Sequence, residues 1–247
     1  MGQTYYIASC IFTSKYPDLS KKVQEYIHNR FDMPIVRCCV PKFNLKYFRE
    51  QMPDDYRDKW EDIPDCADFK AGDTIYSLCH NCSAILEETK PELTIKSIWE
   101  LILSDEKFQY NDYHNMPITI QDCWRAYDRL EEQQAVRQLL KKMNFDVHEI
   151  EANFEKADYC GPTLYRPTPR RNLAMAPKRY VENAKGMWEP HTLEEQKELM
   201  VEHAKQYKTD KVVAYCHYCM EGFPMAEVNG MHLATLLFDP DNAWLKE

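Results

Sequence analysis

The feature that most constrains this chain is a Cys-His-x-Cys motif that occurs twice, each time directly after a short apolar run. The first copy, YSLCHNC, contains Cys79 and Cys82, and the second, VAYCHYC, contains Cys216 and Cys219. Two cysteines separated by two residues are a common way of presenting sulfur to one metal ion or one redox centre. We therefore expect each motif to lie at the end of a buried segment, with its thiols directed toward a common site.

The composition limits the chemistry of these cysteines. The 247-residue chain has ten cysteines, a net charge of -9 and a pI near 5.5. This acidic balance argues against nucleic-acid binding, which needs clustered Lys and Arg. The sequence has neither an apolar run long enough to span a bilayer nor a signal-peptide pattern, so we expect a cytoplasmic protein without membrane insertion. Because cytosolic reductants keep thiols reduced, the cysteines indicate metal binding or redox chemistry.

Strand-like and helix-like segments alternate along the chain. Short β-branched or aromatic segments, typical of buried strands, lead to several of the cysteines: Cys10, Cys38, Cys79, Cys123 and Cys216. Helical apolar spacing occurs at 19–31, 129–143 and 191–207, and the last of these opens with a capping box of Thr192 and Glu195. This alternation predicts βαβ units on parallel sheets, whose functional sites gather at the carboxyl ends of the strands.

The cysteines also repeat in the same order in the two halves of the chain. A single cysteine is followed by a cysteine or cysteine pair beside a loop, and then by the Cys-His-x-Cys motif. We predict an α/β fold of two tandem related domains, each a small parallel-sheet βαβ unit with cysteines at the carboxyl ends of strands. The first domain is placed at 1–92 and the second at 116–247, joined by a linker helix within 93–115 that begins at Thr94, after Pro91.

Each half supplies a set of thiols. The first set is Cys10, Cys38, Cys39, Cys79 and Cys82, and the second set is Cys123, Cys160, Cys216 and Cys219. Sulfur ligands select zinc, copper(I) or iron–sulfur clusters. Five thiols exceed what tetrahedral zinc needs, and four are enough for a regular iron–sulfur cluster. The fifth thiol of the first set therefore points to an unusual centre.

A single Cys, a Cys-Cys pair and a Cys-x-x-Cys, in that order, resemble the cysteine-rich CCG domain of the heterodisulfide reductase B subunit. The resemblance covers nearly the whole chain, since that subunit also has two such domains in tandem. It implies that the complete first set holds a non-cubane [4Fe-4S] cluster and that electrons reach a substrate disulfide one at a time. The chain departs from the pattern at Val40, where the family has glycine, and at Tyr159, where it has the first cysteine of the pair; Gly161 keeps the glycine of the second copy.

With four cysteines, the second set suits an ordinary [4Fe-4S] cubane or a zinc ion, and both alternatives stay open. Beside it, the segment YCGPTLYRPTPRRNLAMAPKRY is basic in an otherwise acidic chain. Its guanidinium groups are suited to a small anionic thiol, disulfide or carboxylate substrate, or to an acidic partner. The candidate substrate-binding residues are Arg166, Arg170, Arg171, Tyr159, His80 and His217.

Each of these candidates has a plainer alternative. The basic residues of the loop, which include Lys178 and Arg179, are equally explained as solvated or ion-paired charges. His80 and His217 are suited to donating hydrogen bonds to cluster sulfurs or to binding zinc, but we favour their explanation as turn residues between two ligands. Trp124 is explained as a core residue or a shield over the site. Cys66 matches no position of the repeat and is predicted to be a structural or idle thiol.

The sequence therefore predicts an oxidoreductase similar to heterodisulfide reductase, acting on a disulfide or related sulfur compound through the cluster of the first set. The ferredoxin spacing Cys-x-x-Cys-x-x-Cys is absent, so electrons must come from a ferredoxin-like or flavoprotein subunit. The alternatives are a non-catalytic electron-transfer subunit, a zinc-binding structural protein with one tetrahedral site per domain, and a thioredoxin-like dithiol enzyme.

Overall fold

The computed structural model describes residues 2–40, 42–65 and 67–244, so the prediction about Cys66 lies outside the described residues. The chain forms two compact units, Met1–Leu101 and Ile102–Glu247. Each unit contains one four-stranded sheet, and every pair of neighbouring strands is parallel. The prediction of an α/β fold with two tandem parallel-sheet domains is confirmed.

The first unit has a sheet in the order β2-β1-β3-β4. Its strands are β1 (Thr4–Ile7), β2 (Ile35–Val36), β3 (Thr74–Ser77) and β4 (Thr94–Ser97). Its helices are α1 (Cys10–Lys15), α2 (Pro17–Phe31), α3 (Leu45–Gln51), α4 (Asp54–Asp62) and α5 (His80–Thr89), and α6 (Ile98–Ser104) carries the chain across the boundary between the units.

The segment predicted to be a linker helix contains a strand. Thr94–Ser97 pairs in parallel with β3, so the prediction of a helix from Thr94 is wrong, and the helix begins at Ile98. The Thr94 N–H donates to the Asp73 carbonyl at 2.9 Å, which extends the ladder of the sheet. Thr94 and Ile95 are β-branched and suit a strand, and the edge of β3 offers them hydrogen-bond partners that an isolated segment does not have.

The second unit repeats the topology of the first, in the order β6-β5-β7-β8. Its strands are β5 (Met116–Gln121), β6 (Phe145–His148), β7 (Lys211–Ala214) and β8 (Asn229–His232). Its helices are α7 (Leu130–Lys142), α8 (Arg170–Met175), α9 (Leu193–Ala204) and α10 (Leu233–Phe238). No helix in the described part of the chain is long and apolar enough to cross a membrane.

Helices α7 and α9 form as their sequences predict, one through a buried apolar stripe and the other through a capping box. The apolar stripe of α7 is buried, since Val136, Leu139 and Leu140 have no exposed surface. The capping box of α9 is present: the Glu195 N–H donates to Thr192 Oγ1, and the Thr192 N–H donates to the Glu195 carboxylate. These two bonds satisfy backbone donors that the first turn of a helix leaves without partners.

The cysteines gather at the carboxyl ends of the strands, as predicted. Cys10, Cys38 and Cys79 follow the ends of β1, β2 and β3 within three residues, and Cys123 and Cys216 follow β5 and β7. Because β1 neighbours β3, and β5 neighbours β7, the loops after these strands leave the sheet side by side. The sheet topology therefore brings cysteines that are distant in sequence to one edge of each unit.

Helix α9 packs on β5 through His203. The ring Nε2 lies 2.7 Å from the Oε1 of Gln121, the last residue of β5, and Nδ1 accepts from the Gln206 amide at 3.3 Å. Both ring nitrogens therefore have partners when the imidazole is neutral, whereas protonation would remove the acceptor that Gln206 uses. Burial lowers the pKa of His203 from 6.5 to about 4.

The depressed pKa of His203 makes stability depend on pH. The unfolded chain binds the proton more readily than the folded chain. The contribution of neutral His203 to the unfolding free energy is therefore fully present above pH 6.5 and is lost as the pH falls toward about 4. We expect the advantage of the wild-type protein over His203→Gln in unfolding free energy to shrink by up to about 3 kcal/mol across that window. Chemical denaturation of both proteins at several pH values tests this, and parallel pH profiles would contradict it.

Candidate metal centres

The second set of cysteines forms a compact buried group in the second unit. The Sγ atoms of Cys123, Cys160, Cys216 and Cys219 all lie within 4.8 Å of one another. Cys123 Sγ and Cys160 Sγ are 3.6 Å apart, and none of the four residues is more than 2% exposed. Four thiols directed at one point, with no disulfide among them, form a group that could hold a metal ion or an iron–sulfur cluster.

Three different loops supply the four sulfurs. Cys123 follows β5 and precedes a short 3-10 turn, Trp124–Ala126. Cys160 precedes the 3-10 segment Gly161–Tyr165, in the long connection after β6. Cys216 follows β7, and Cys219 begins the 3-10 turn Cys219–Glu221. The sheet fixes the starting points of these loops, and the loops themselves complete the group.

A buried carboxylate joins the two strand ends that carry Cys123 and Cys216. Asp122 has no exposed surface and accepts from the Tyr215 hydroxyl at 2.9 Å, so the residues before the two cysteines are directly linked. The Arg137 guanidinium donates to both carboxylate oxygens at 3.1 and 2.8 Å, and the Phe154 N–H donates at 2.8 Å. Sequence reasoning missed Asp122, although an acidic residue directly after an apolar strand is an available signal.

Gly161 allows the loop of Cys160 to approach the Cys-His-Tyr-Cys loop. Its φ is +60°, a conformation that other residues adopt only with strain, and a β-carbon there would lie 2.3 Å from the Tyr218 carbonyl oxygen. Tyr218 lies between Cys216 and Cys219 in the chain. The glycine at position 161 is thus required by the close backbone approach that brings Cys160 to Cys216 and Cys219.

Tyr159 lies in the core of the second unit. Its ring stacks on His203, with centroids 4.2 Å apart, and its hydroxyl donates to the Cys219 carbonyl at 3.3 Å. A β-carbon on Gly222 would come within 2.2 Å of that hydroxyl, so the missing side chain at Gly222 gives the tyrosine its space. Tyr159 stands where the CCG pattern would have the first cysteine of a pair. It is 4% exposed and is held there by ring packing and a hydrogen bond.

Arg125 is a functional candidate that the sequence analysis missed. Its Nε donates to Cys160 Sγ at 3.0 Å, and the residue is only 2% exposed. Its Nη1 donates to the Tyr180 hydroxyl at 3.1 Å, and its Nη2 donates to Thr163 Oγ1 at 3.3 Å. The available signal was a charged residue two positions after Cys123, within a segment that is otherwise apolar.

Burial and mutual proximity shape the acidity of the second set. Burial and the neighbouring thiols raise the pKa of Cys123 and Cys219 well above the ordinary value. For Cys160, burial raises the pKa, but the hydrogen bond with Cys123 and the charge of Arg125 outweigh that effect and lower it. A metal ion that bound at the second set would therefore have to displace firmly held protons from Cys123 and Cys219, and a less firmly held one from Cys160.

The five cysteines of the first set lie together in the first unit, and all are buried. The Cys10 thiol is hydrogen-bonded to Cys38, and the Cys82 thiol to Cys39 and Cys79. These contacts, followed by burial, raise the pKa values of Cys10 and Cys82 well above the ordinary value. Cys10 also interacts electrostatically with Cys39 and Cys79, so the contacts connect all five thiols.

Local structure explains how the first motif presents its thiols. Ser77 Oγ accepts from the Cys79 N–H at 3.0 Å and donates to the Cys79 carbonyl at 3.1 Å, which fixes the turn after β3. Cys79 is the N-cap of α5, and Cys82 lies in its first turn. The positive end of the helix dipole favours ionised sulfur at these two positions.

A small cavity of about 10 Å³, room for about one water molecule, lies beside the first set. Among the cysteines, Cys10 and Cys38 line it. The rest of its wall combines aromatic and apolar side chains with one charged pair: Phe43, Leu45, Phe48, Trp60, Arg37 and Asp65. These two sulfurs are therefore the part of the first set that a small reactant would meet through this cavity.

The basic loop near the second set is partly neutralised. Arg166 forms an ion pair with Glu221 at 3.2 Å, and Arg179 donates to both oxygens of Asp128 at 2.8 Å. Arg171 donates to the Asn172 side chain, while Arg170 and Lys178 are exposed. Arg170 forms no ion pair with a carboxylate of the described residues, so an anion in solution can reach it directly.

The two motif histidines are both buried. His80 is the first residue of α5 and is 3% exposed, and His217 is 1% exposed, with its ring 4.3 Å from that of Tyr218. Trp124 is also buried and packs against Tyr180 and Trp188, as expected for a residue that shields the second set from solvent. A substrate role for the histidines stays a prediction.

A scan against protein-family models gave no match for this chain, and a search of the curated proteins gave none either. The resemblance to the CCG domain therefore stays a prediction based on the cysteine pattern.

Replacing Asp122 with Asn should weaken both the fold and the second site. The change removes the buried charge that pairs with Arg137. Because Arg137 keeps its ion pair with Glu149, we expect a loss of about 2 kcal/mol of unfolding free energy, typical of a hydrogen bond to a charged group. We also expect weaker metal retention, because Asp122 links the loops of Cys123 and Cys216. Chemical denaturation and chelator competition measure the two effects. Asp146→Asn is the matched control, since Asp146 is half-exposed and should change stability by less than about 0.5 kcal/mol.

Gly161→Ala should disrupt the second site, and Gly186→Ala provides a control with a similar backbone strain. Both glycines have positive φ, but a β-carbon on Gly186 would meet nothing within 4 Å. We expect Gly186→Ala to cost roughly 1 kcal/mol and Gly161→Ala at least about twice that, with reduced zinc binding only for Gly161→Ala. Equal effects of the two variants on stability and zinc binding would contradict the close approach of Gly161 and Tyr218.

Proposed function

We propose that this protein is an iron–sulfur redox protein with two different metal centres. The first set of cysteines holds a [4Fe-4S] cluster of the non-cubane kind, and the second set holds a single zinc ion. The observation that carries the proposal is the presence of two buried thiol groups of different size: five cysteines in the first unit, and four in the second whose sulfurs all lie within 4.8 Å of one another.

The spacing of the second set supports a single ion. A tetrahedral ion with metal–sulfur bonds of about 2.3 Å holds its four sulfurs about 3.8 Å apart. Cys123 Sγ and Cys160 Sγ are 3.6 Å apart, and no pair in the set exceeds 4.8 Å. In a [4Fe-4S] cluster each thiolate bonds a different iron, so the four sulfurs must stand farther apart. The compact group therefore favours zinc over the cubane alternative.

The first set supports a larger centre. It offers five buried thiols, one more than a tetrahedral ion or a regular cluster uses. Cys10 is hydrogen-bonded to Cys38 and interacts electrostatically with Cys39 and Cys79, which are the hydrogen-bond partners of Cys82. Five neighbouring thiols are enough to bind several iron atoms. A cluster bound there would supply one-electron transfer, which is the chemistry that the resemblance to heterodisulfide reductase implies.

The proposed role of this cluster is catalytic. Cys10 and Cys38 line the small cavity beside the first set, and because that cavity has room for about one water molecule, a disulfide would reach these sulfurs only if the cavity widened. The proposed substrate is a disulfide or a related sulfur compound, reduced with two electrons and two protons to two thiols. A ferredoxin-like or flavoprotein partner is the proposed source of the electrons.

Metal and sulfide analysis of protein purified without oxygen tests the proposal. We expect about four irons and four sulfides together with about one zinc per chain, and an electron paramagnetic resonance signal that changes on reduction. About eight irons and no zinc would overturn the assignment of the second set. Zinc alone, with no sulfide after anaerobic reconstitution, would overturn the redox function and leave a zinc-binding structural protein.

Single cysteine variants assign the cluster to the first set. Cys38→Ser should abolish or strongly reduce the cluster, because the proposal uses Cys38 as a ligand. Cys66→Ser is the matched control and should keep the iron and sulfide content of the wild-type protein, since Cys66 matches no ligand position. An intact cluster in Cys38→Ser, or the loss of iron in Cys66→Ser, would contradict the ligand assignment.

A further inference from the structure

We propose that Arg125 is the fixed counter-charge of the second metal centre and that it positions Cys160 for metal binding through a direct N–H···S hydrogen bond. The inference rests on the proposed binding of a metal ion to the second set. It concerns a residue outside the cysteine pattern, and it makes Arg125 a positioning residue that acts through Cys160.

The direct contact is the first observation that supports this role. The Nε of Arg125 lies 3.0 Å from Cys160 Sγ, which is within reach for a charge-assisted hydrogen bond to sulfur. Residues that donate to a metal ligand fix its orientation and adjust its basicity, and their loss typically lowers metal affinity about 10- to 100-fold.

The electrostatic balance of the site gives the second argument. Four thiolates around one divalent ion leave two negative charges, and these four residues have 2% exposure or less. Uncompensated charge is costly in such a low-dielectric environment. Arg125 is itself buried, so its positive charge interacts with the sulfurs with little screening by water.

The setting of Arg125 holds the guanidinium in place. Its guanidinium carbon, Cζ, lies 4.6 Å from the ring centre of Trp188, 4.7 Å from that of Tyr218 and 5.4 Å from that of Tyr180. The Tyr180 hydroxyl and Thr163 Oγ1 accept from its two terminal nitrogens. A lysine could keep the charge, but it could not make three directed bonds from one planar group.

Arg125 also connects the three loops that supply the ligands. It lies two residues after Cys123, it donates to Cys160, and its guanidinium packs over Tyr218, between Cys216 and Cys219 in the chain. The Arg125 residue is therefore linked to all three loops that carry the cysteines. Its removal should affect how well the four sulfurs converge, in addition to the net charge of the centre.

The test compares metal binding by the wild-type chain, Arg125→Gln and Arg125→Lys. We expect zinc affinity, measured by chelator competition, to fall about 10- to 100-fold in Arg125→Gln and by less in Arg125→Lys, which keeps the charge. With cobalt(II) in place of zinc, the sulfur-to-cobalt absorption band should move to longer wavelength in Arg125→Gln. A thiolate without its hydrogen bond and counter-charge gives up electron density more readily, and a loss of packing alone would not shift this band.

Two further variants keep the test decisive. Tyr180→Phe keeps the aromatic ring and removes only the acceptor of Arg125 Nη1, so it should fold and show smaller changes in the same direction. Lys142→Gln removes one positive charge from the same unit at a side chain that lies over the Tyr110 ring, and it should bind metal as the wild-type chain does.

The possible failures are distinguishable. If the wild-type chain binds neither zinc nor cobalt, the proposed metal site and the role of Arg125 are both overturned. If the wild-type chain binds both metals but Arg125→Gln and Tyr180→Phe keep its affinity and its cobalt spectrum, the metal site stands and the role of Arg125 is overturned. Equal losses in Arg125→Gln and Lys142→Gln would also overturn it, because they would reflect the charge of the whole unit.

Discussion

Ionisation of a thiol that is buried in a protein core is electrostatically unfavourable. The two cysteine sets of this protein depend on how the surrounding charges offset that cost. Nine cysteines of the described residues are buried, in one group of five and one group of four. Burial and neighbouring thiols hold the pKa values of Cys10, Cys82, Cys123 and Cys219 well above the ordinary value. Metal cations are the natural way to stabilise several thiolates in such a place, and folding and metal binding are then linked.

The two halves use the same strand order and differ in how the loops close around the sulfurs. In the second unit, Gly161 lets the loop of Cys160 come against the Tyr218 carbonyl, and Gly222 leaves space for the Tyr159 ring. The first unit has Val40 in place of that glycine and a second adjacent cysteine in place of the tyrosine. These two exchanges accompany a group of four sulfurs within 4.8 Å of one another in the second unit and a group of five buried cysteines in the first.

Charged residues support the second centre on two levels. Asp122 and Arg137 form a buried pair that holds the strand ends before Cys123 and Cys216 in place, while Arg125 supplies positive charge directly to Cys160. The two arginines have different partners, one a carboxylate and the other a thiol. Arg137 therefore contributes mainly to the position of the strand ends, and Arg125 to the charge and geometry around Cys160.

The sequence by itself determined the fold class and the cysteine sets. Alternation of apolar strands with helices such as α7 and α9 gives parallel sheets, because these periodic patterns act locally. It did not give β4, because Thr94–Ser97 becomes a strand only through pairing with β3. Nor did it give Arg125 as a partner of Cys160, the link from Asp122 to Tyr215, or the space that Gly222 leaves for Tyr159. These contacts join residues that are 35 to 93 positions apart, so tertiary structure alone decided them.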